Sequence, residues 1–384
     1  MFQHSESLER RTLLAAIPIN PQGRFITQFQ FPFPTPRIEL NDRRELTLVG
    51  TPGNDKIRVR VVQTGGANRI LFTVNRDQRS VLLRNVAKLT IVGDYGFDGD
   101  IVGNDEILCD DPLGLLANRR VFIYGDNPDD PQFTGDDTLV GTPARDRIFG
   151  GPGNDSILGA DGNDIITGDS GNDSIFGGPG NDSILGGDVE AGQIGNNYIL
   201  GEDGSDTITG GSFEDTILGG LGNDSLNGLF GNDTIQGNEG NDTIFGGTDD
   251  DLIYGLDGDD NIFGDNFLAP SAMTTPDGHG NDTIFGGRGN DSIWGEGGND
   301  DLRGEDGSDT LLGHFGVDRL DGGRGNDYLN GHEERDAVRG GPGRDRFNLI
   351  DRDQGQTDFK LGEDNPDFLP AQATFGSEQG PIEI

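Results

Sequence analysis

Aspartate recurs every nine residues through more than half of this 384-residue chain. The series runs through Asp146, Asp155, Asp164, Asp173 and Asp182, then Asp206, Asp215, Asp224, Asp233, Asp242, Asp251 and Asp260. It continues through Asp282, Asp291, Asp300, Asp309, Asp318, Asp327, Asp336 and Asp345, and Asp55 and Asp137 stand in matching stretches upstream. Carboxylates are hard oxygen donors, and a glycine-rich chain can aim carbonyl oxygens beside them. That donor set suits a hard divalent cation such as calcium, which takes roughly six to eight oxygens in flexible geometry. Paired carboxylates also serve acid–base chemistry, but so many at one spacing are better explained by an ion.

The frame is clearest in Gly150 to Leu185, which breaks into GGPGNDSIL, GADGNDIIT, GDSGNDSIF and GGPGNDSIL. About 21 such units run from Gly141 to Asn348, with insertions at Val189 to Ile194 and Phe267 to His279. Each unit opens on Gly. Position six is Asp in every unit but one, where Asn197 stands, and position eight is always apolar, from Ile148 to Phe347. Position four is Gly except at Ala144, Phe213, Asp249 and Glu334. A nine-residue period is neither helical nor a plain strand alternation. It predicts a six-residue glycine turn followed by a three-residue strand whose middle side chain points inward. Two units then make one coil, with strands on opposite sides of a thin core. Stacked coils give two parallel sheets and two columns of turns.

Composition makes an ion necessary. Only 31% of residues are apolar, 66 are Gly, and the net charge is −40. Low hydrophobicity with high charge predicts disorder unless something else contributes. One aliphatic side chain per nine residues is little against the entropy of ordering them, and stacked carboxylates repel. A cation between turns answers both problems. A disordered acidic linker has no reason to keep position eight apolar in phase. Nucleic acid and anionic membranes are disfavoured partners on charge grounds, and no run reaches the roughly 18 apolar residues of a transmembrane span.

The unit G-G-x-G-x-D-x-U-x resembles the RTX nonapeptide of the calcium-binding β-roll, over about 208 residues. The resemblance implies an all-β, right-handed parallel β-roll or β-helix solenoid with calcium in the turns, between units n and n+2. For one pair it implies the carbonyls of Gly150 and Pro152 with the Asp155 carboxylate, facing the carbonyls of Asp169 and Gly171 with Asp173. Asp169 departs from the Gly preferred there. About 17 ions would add roughly +34 against the −40. Export by a type I secretion machinery, and an extracellular or cell-surface location, are likewise implied. They agree with an N-terminus whose apolar stretch, Leu13 to Ile17, is short for a cleavable signal and is followed by Pro18.

The flanks divide the chain further. Residues 1–36 read as a Pro-rich tail, and 37–140 as degenerate, wider coils that cap the 141–348 roll. GTPGNDKIR (Gly50 to Arg58) is a full unit, and GDY with GNDEIL (Gly103 to Leu108) and GDN with GDDTLV (Gly135 to Val140) are split ones. Residues 349–384 read as a cap with a type I secretion signal, TDFKLGED (Thr357 to Asp364) resembling the motif that closes such arrays. Cys109, the single cysteine, excludes an internal disulfide and reads as a small buried strand residue.

No enzyme signature stands out. HEERD (His332 to Asp336) begins like a zinc-protease helix but lacks the second His and occupies repeat positions. Ser170 lies in GDSGN, which is no nucleophile elbow. The expected function is a calcium-folded structural, adhesive or cell-surface protein. The alternative is a secreted enzyme or toxin-associated protein with its site in 37–140. Outward aromatic residues at position nine, Phe245, Tyr254, Phe263, Phe285 and Trp294, are candidates for a glycan or cell-surface partner, although aromatic residues suit strands in any case.

Overall fold

A computed structural model describes residues 37–41, 43–50, 54–64, 67–75, 77–82, 86–93, 104–110, 116, 120–126, 135–187, 195–265, 279–332, 335–348 and 359–360. The tail 1–36 (with His4), most of 349–384 and nearly all of both insertions lie outside the described residues. Every described element is a strand, and no helix long and apolar enough to cross a membrane occurs among the described residues. The chain divides into two compact units, Met1–Gly201 and Glu202–Ile384.

Each unit is a two-sheet parallel β-roll. In the first, one sheet stacks Glu45–Val49, Lys88–Val92, Arg120–Tyr124, Asp146–Phe149, Ile165–Asp169 and Ser183–Gly187 in parallel. The other stacks Lys56–Thr64, Glu106–Asp110, Thr138–Val140, Ser156–Leu158, Ser174–Phe176 and the start of Tyr198–Asp203. The split units therefore join the array in register, with Glu106 opposite Thr138 and Thr138 opposite Ser156. The added chain before Gly141 does not simply widen the coils. Lys56–Thr64, Ala67–Val74 and Asp77–Leu82 form an antiparallel meander. Its alternation explains it: Ile57, Val59, Val61, Ile70, Phe72 and Val74 are buried, whereas Arg58 and Arg60 are exposed.

In the second unit the strands from Thr207–Ser212 to Arg346–Asn348 form one parallel sheet, and those from Thr216–Leu221 to Phe359–Lys360 the other. The last strand belongs to TDFKLGED and pairs with Ala337–Arg339. Like positions stack on like: Ile235 lies opposite Ile253 and Ile253 opposite Ile284. The register is the same on either side of both insertions.

Position eight is at most 2% exposed in every unit, from Ile148 to Phe347. Strands such as Ser156–Leu158 and Ser174–Phe176 have the three residues expected, but those from Thr207–Ser212 to Thr310–Phe315 are longer. Thr234–Glu239 covers positions seven to three of the next unit, so Gly237 faces inward beside Ile235. The turn shrinks to positions four to six. Position four takes positive φ in many units, Gly171 at 129° and Phe213 and Asp249 at 76° and 77°. Cys109 is buried as expected, and burial pushes its thiol well above the ordinary range. The position-nine aromatic rings stack on one another. Phe245 and Phe263 lie 4.8 Å apart, Phe263 and Trp294 4.4 Å, and Tyr254 and Phe285 4.9 Å, all within 9° of parallel.

Candidate metal centre

The stacked register turns the aspartate series into buried columns. All the aspartates expected as ligands, Asp55 and Asp137 through Asp345, are at most 3% exposed. They do not simply repel, because along most of the series the backbone N–H of one aspartate donates to Oδ1 of the aspartate one coil further on. Asp155 donates to Asp173 and Asp233 to Asp251, both at 2.8 Å. The ladder crosses the 267–279 insertion, where Asp251 donates to Asp282 at 2.9 Å and Asp260 to Asp291 at 2.9 Å. Asn197 keeps its place in it, accepting from the Asp173 N–H at 3.0 Å.

The other carboxylate oxygen is the open one. Oδ2 of Asp155, Asp164, Asp173, Asp224, Asp233, Asp242, Asp251, Asp260, Asp282, Asp291, Asp300 and Asp309 is buried with no hydrogen-bond partner. A buried, unsatisfied carboxylate oxygen is costly. Position-one glycine makes room beside it. A Cβ on Gly150 would sit 2.3 Å from Asp155 Oδ2 and 2.6 Å from the Gly168 carbonyl oxygen. A carboxylate oxygen of one coil and a carbonyl oxygen of the next thus border the same small space. The pattern repeats at Gly237, with Asp242 Oδ2 at 2.2 Å and the Gly255 oxygen at 2.9 Å from the same kind of added Cβ.

Burial is the main electrostatic consequence. It pushes the carboxyls of Asp155, Asp164, Asp251 and Asp300 up to about 9, with neighbouring aspartates adding to the rise and the ladder hydrogen bond opposing it. Asp233 and Asp282 are pushed to about 8 by the same burial. Asp173, Asp242, Asp260, Asp291 and Asp309 are pushed to about 7. With no cation, the fold holds these groups against ionisation.

Two members differ in detail. Asp146 has its carboxylate held by its own unit, with the Thr142 N–H and Oγ both donating to it. Asp55 accepts from the Asn75 side-chain amide through Oδ1. Asp169, where the repeat prefers Gly, takes up the required left-handed backbone at φ 74°. Of the carbonyls expected beside Asp155, that of Pro152 accepts from the Gly135 N–H at 3.0 Å, which leaves it one lone pair.

Two features escaped the sequence reading. Asp105 belongs to the column: Asp55 N–H donates to its Oδ1 at 2.7 Å, and its own N–H donates to Asp137 at 2.7 Å. Its signal was the GND of Gly103 to Leu108. A second ladder runs the opposite way along position five, where Asn172 N–H donates to Asn154 Oδ1 and Asn241 N–H to Asn223 Oδ1, each at 3.0 Å.

Among the described residues, no three His, Cys, Asp or Glu side chains form a metal-holding group. Two adjacent coils offer two carboxylates, so any ion in the column must draw its remaining donors from backbone carbonyls. This is the donor chemistry of a hard cation.

Comparison with known families agrees with this chemistry. The model of the RTX calcium-binding nonapeptide repeat (4 copies) matches residues 133–166, 158–188, 191–217, 200–235, 209–244, 218–253, 236–267, 278–311 and 312–347, which together span more than half of the chain. No curated protein matches it.

Proposed function

Because the chain belongs to the RTX calcium-binding nonapeptide repeat family, we propose that it is an extracellular structural or adhesive protein whose rolls form when calcium fills the turn columns. The observation that carries this reading is the row of buried Oδ2 atoms without partners. The residues fit the ion. In the proposal each cation lies between turns n and n+2, held by the position-six carboxylates and by carbonyls of the glycine-rich positions. For the pair already described these are Asp155 and Asp173 with the carbonyls of Gly150, Pro152, Asp169 and Gly171. Calcium supplies positive charge and accepts oxygen donors without a demanding geometry. The chain supplies the rest: Asp N–H groups orient each carboxylate through Oδ1, and position-one glycines keep Oδ2 clear.

Extracellular calcium-binding modules work at roughly 10⁻⁴–10⁻³ M. Sites of that affinity would stay empty in a calcium-poor cell and fill outside it, so the chain would pass a type I exporter unfolded. The family and the closing TDFKLGED motif support that route. The chain acts as a scaffold in this proposal, not as a catalyst. The position-nine aromatic residues belong to its packing more than to a glycan platform. Their rings spend their faces on each other, and a sugar needs an open face.

Native mass spectrometry of the calcium-loaded chain tests the proposal. About 17 bound ions are expected if most n/n+2 pairs fill. Fewer than about five would leave most of the columns without their proposed role.

A further inference from the structure

We infer that the second unit pairs with a second copy of this chain through one outer face, on which charges alternate from coil to coil. At position three the row reads Asp257, Arg288, Asp306 and Arg324, each opposite the next in the parallel register. Strand spacing sets the steps at about 4.8 Å. These side chains stand in solvent: Arg288 is 76% and Arg324 77% exposed, and Asp257 and Asp306 are 52% and 55% exposed. In a chain of net charge −40, arginines alternating with aspartates are a local departure from the prevailing sign.

The alternation fixes what the row can bind. A polyanion would meet Asp306 for every Arg288, and a polycation the reverse. A second copy fits both signs. When one copy is turned over about an axis parallel to the strands, passing between the coils of Arg288 and Asp306, the row faces itself in reverse order. Arg288 then meets the partner's Asp306, and Asp257 meets the partner's Arg324. Two-fold symmetry makes each of these pairs occur twice. The position-nine row, Tyr254, Phe285, Arg303 and Asp321, accepts the same reversal. It sets Tyr254 against the partner's Asp321 and Phe285 against the partner's Arg303. Like charges meet in neither row.

Within one chain, Arg288 Nη1 lies 3.2 Å from Asp257 and Arg324 Nη1 lies 3.5 Å from Asp306. Exposed pairs of this kind hold weakly. A guanidinium has five N–H donors, so each arginine can bridge to a second carboxylate. Arg288, Arg303, Glu305, Asp306, Asp321 and Arg324 border one open groove between the two rows. The rows are the ridges that meet, and the groove keeps its water. Four coils of this face present roughly 400 Å² per partner, the size of a weak, reversible interface. The inference rests on the proposed calcium filling in one respect, because two uncompensated chains of −40 repel each other.

Sedimentation velocity of the full chain at about 100 μM in saturating calcium tests the inference, in about 0.05 M and about 0.5 M salt. A dimer is expected at low salt and a monomer at high salt. Arg288→Asp and Asp306→Arg should each weaken the dimer on the order of tenfold, since each substitution turns two attractive pairs repulsive. The double variant Arg288→Asp/Asp306→Arg should recover most of the loss. It restores the reversed pairing between copies while breaking the pairs within the chain, so only the two-fold arrangement accounts for recovery. Far-ultraviolet circular dichroism in calcium separates the two readings. A β spectrum with a monomer at low salt would overturn this inference and leave the calcium reading standing, whereas no β spectrum would overturn both. A dimer indifferent to Arg288→Asp, or a double variant no better than the single ones, would also overturn it.

Discussion

Isoleucine 235 and glutamine 236 are neighbours with opposite duties. Ile235 is fully buried and stacks between Ile217 and Ile253, whereas Gln236 is on the outer face. Ile235→Ala should cost roughly 2–5 kcal/mol, and Gln236→Ala no more than about 0.5 kcal/mol. Urea midpoints at one calcium concentration compare the two, and equal losses would mean a different phase. Gly237 makes a sharper case. Its backbone is not left-handed, so Gly237→Ala is penalised only by the Cβ that would press on Asp242 Oδ2 and the Gly255 carbonyl. A loss of about 1–3 kcal/mol is expected, together with a raised calcium midpoint. A neutral result would remove the close packing on which the column geometry depends. At Asn197 the ladder oxygen is kept but the charge is lost. Asn197→Asp should therefore lower the calcium midpoint, and an unchanged or higher one would count against position six as the ligand.

At the scale of the coil, register decides. Ser174 pairs with Tyr198 across the six residues 189–194 as cleanly as Ser156 pairs with Ser174 without an insertion. Excising 189–194 should thus leave the calcium midpoint and the β signal close to those of the parent, and collapse of the β signal would show that the insertion holds the coils together. The inward row and the aspartate columns were legible in the sequence because each repeats in one residue type at one spacing. The strand length was not, since glycines at positions one and two look like turn formers and only pairing with the next coil draws them into the ladder. The position-five asparagine ladder was hidden for a similar reason: its partners lie one coil away, and asparagine beside glycine also reads as turn chemistry. Asp105 was obscured by the splitting of its unit, and the antiparallel meander by the assumption that every strand near the array must be a coil.

For the whole molecule the governing quantity is a net charge of −40, much of it in carboxylates that the fold buries. Their folded-state values are raised, to about 9 at Asp155 and about 8 at Asp233, above an unfolded value near 4. The metal-free fold therefore has its full stability below about pH 4 and loses it as pH rises through about 7 to 9. In chelator, more β-structure is expected at pH 4.5 than at pH 8, by circular dichroism, and the reverse order would contradict the burial of these groups. Calcium should reverse the disadvantage at neutral pH. A site at ten times its dissociation constant contributes RT ln 11, about 1.4 kcal/mol, and many such sites add. The most direct measurement is far-ultraviolet circular dichroism of the full chain at pH 7.5, in chelator and then in millimolar calcium. The account predicts a disordered spectrum that converts cooperatively to a β spectrum as calcium is added. A fully formed β spectrum in chelator would contradict it.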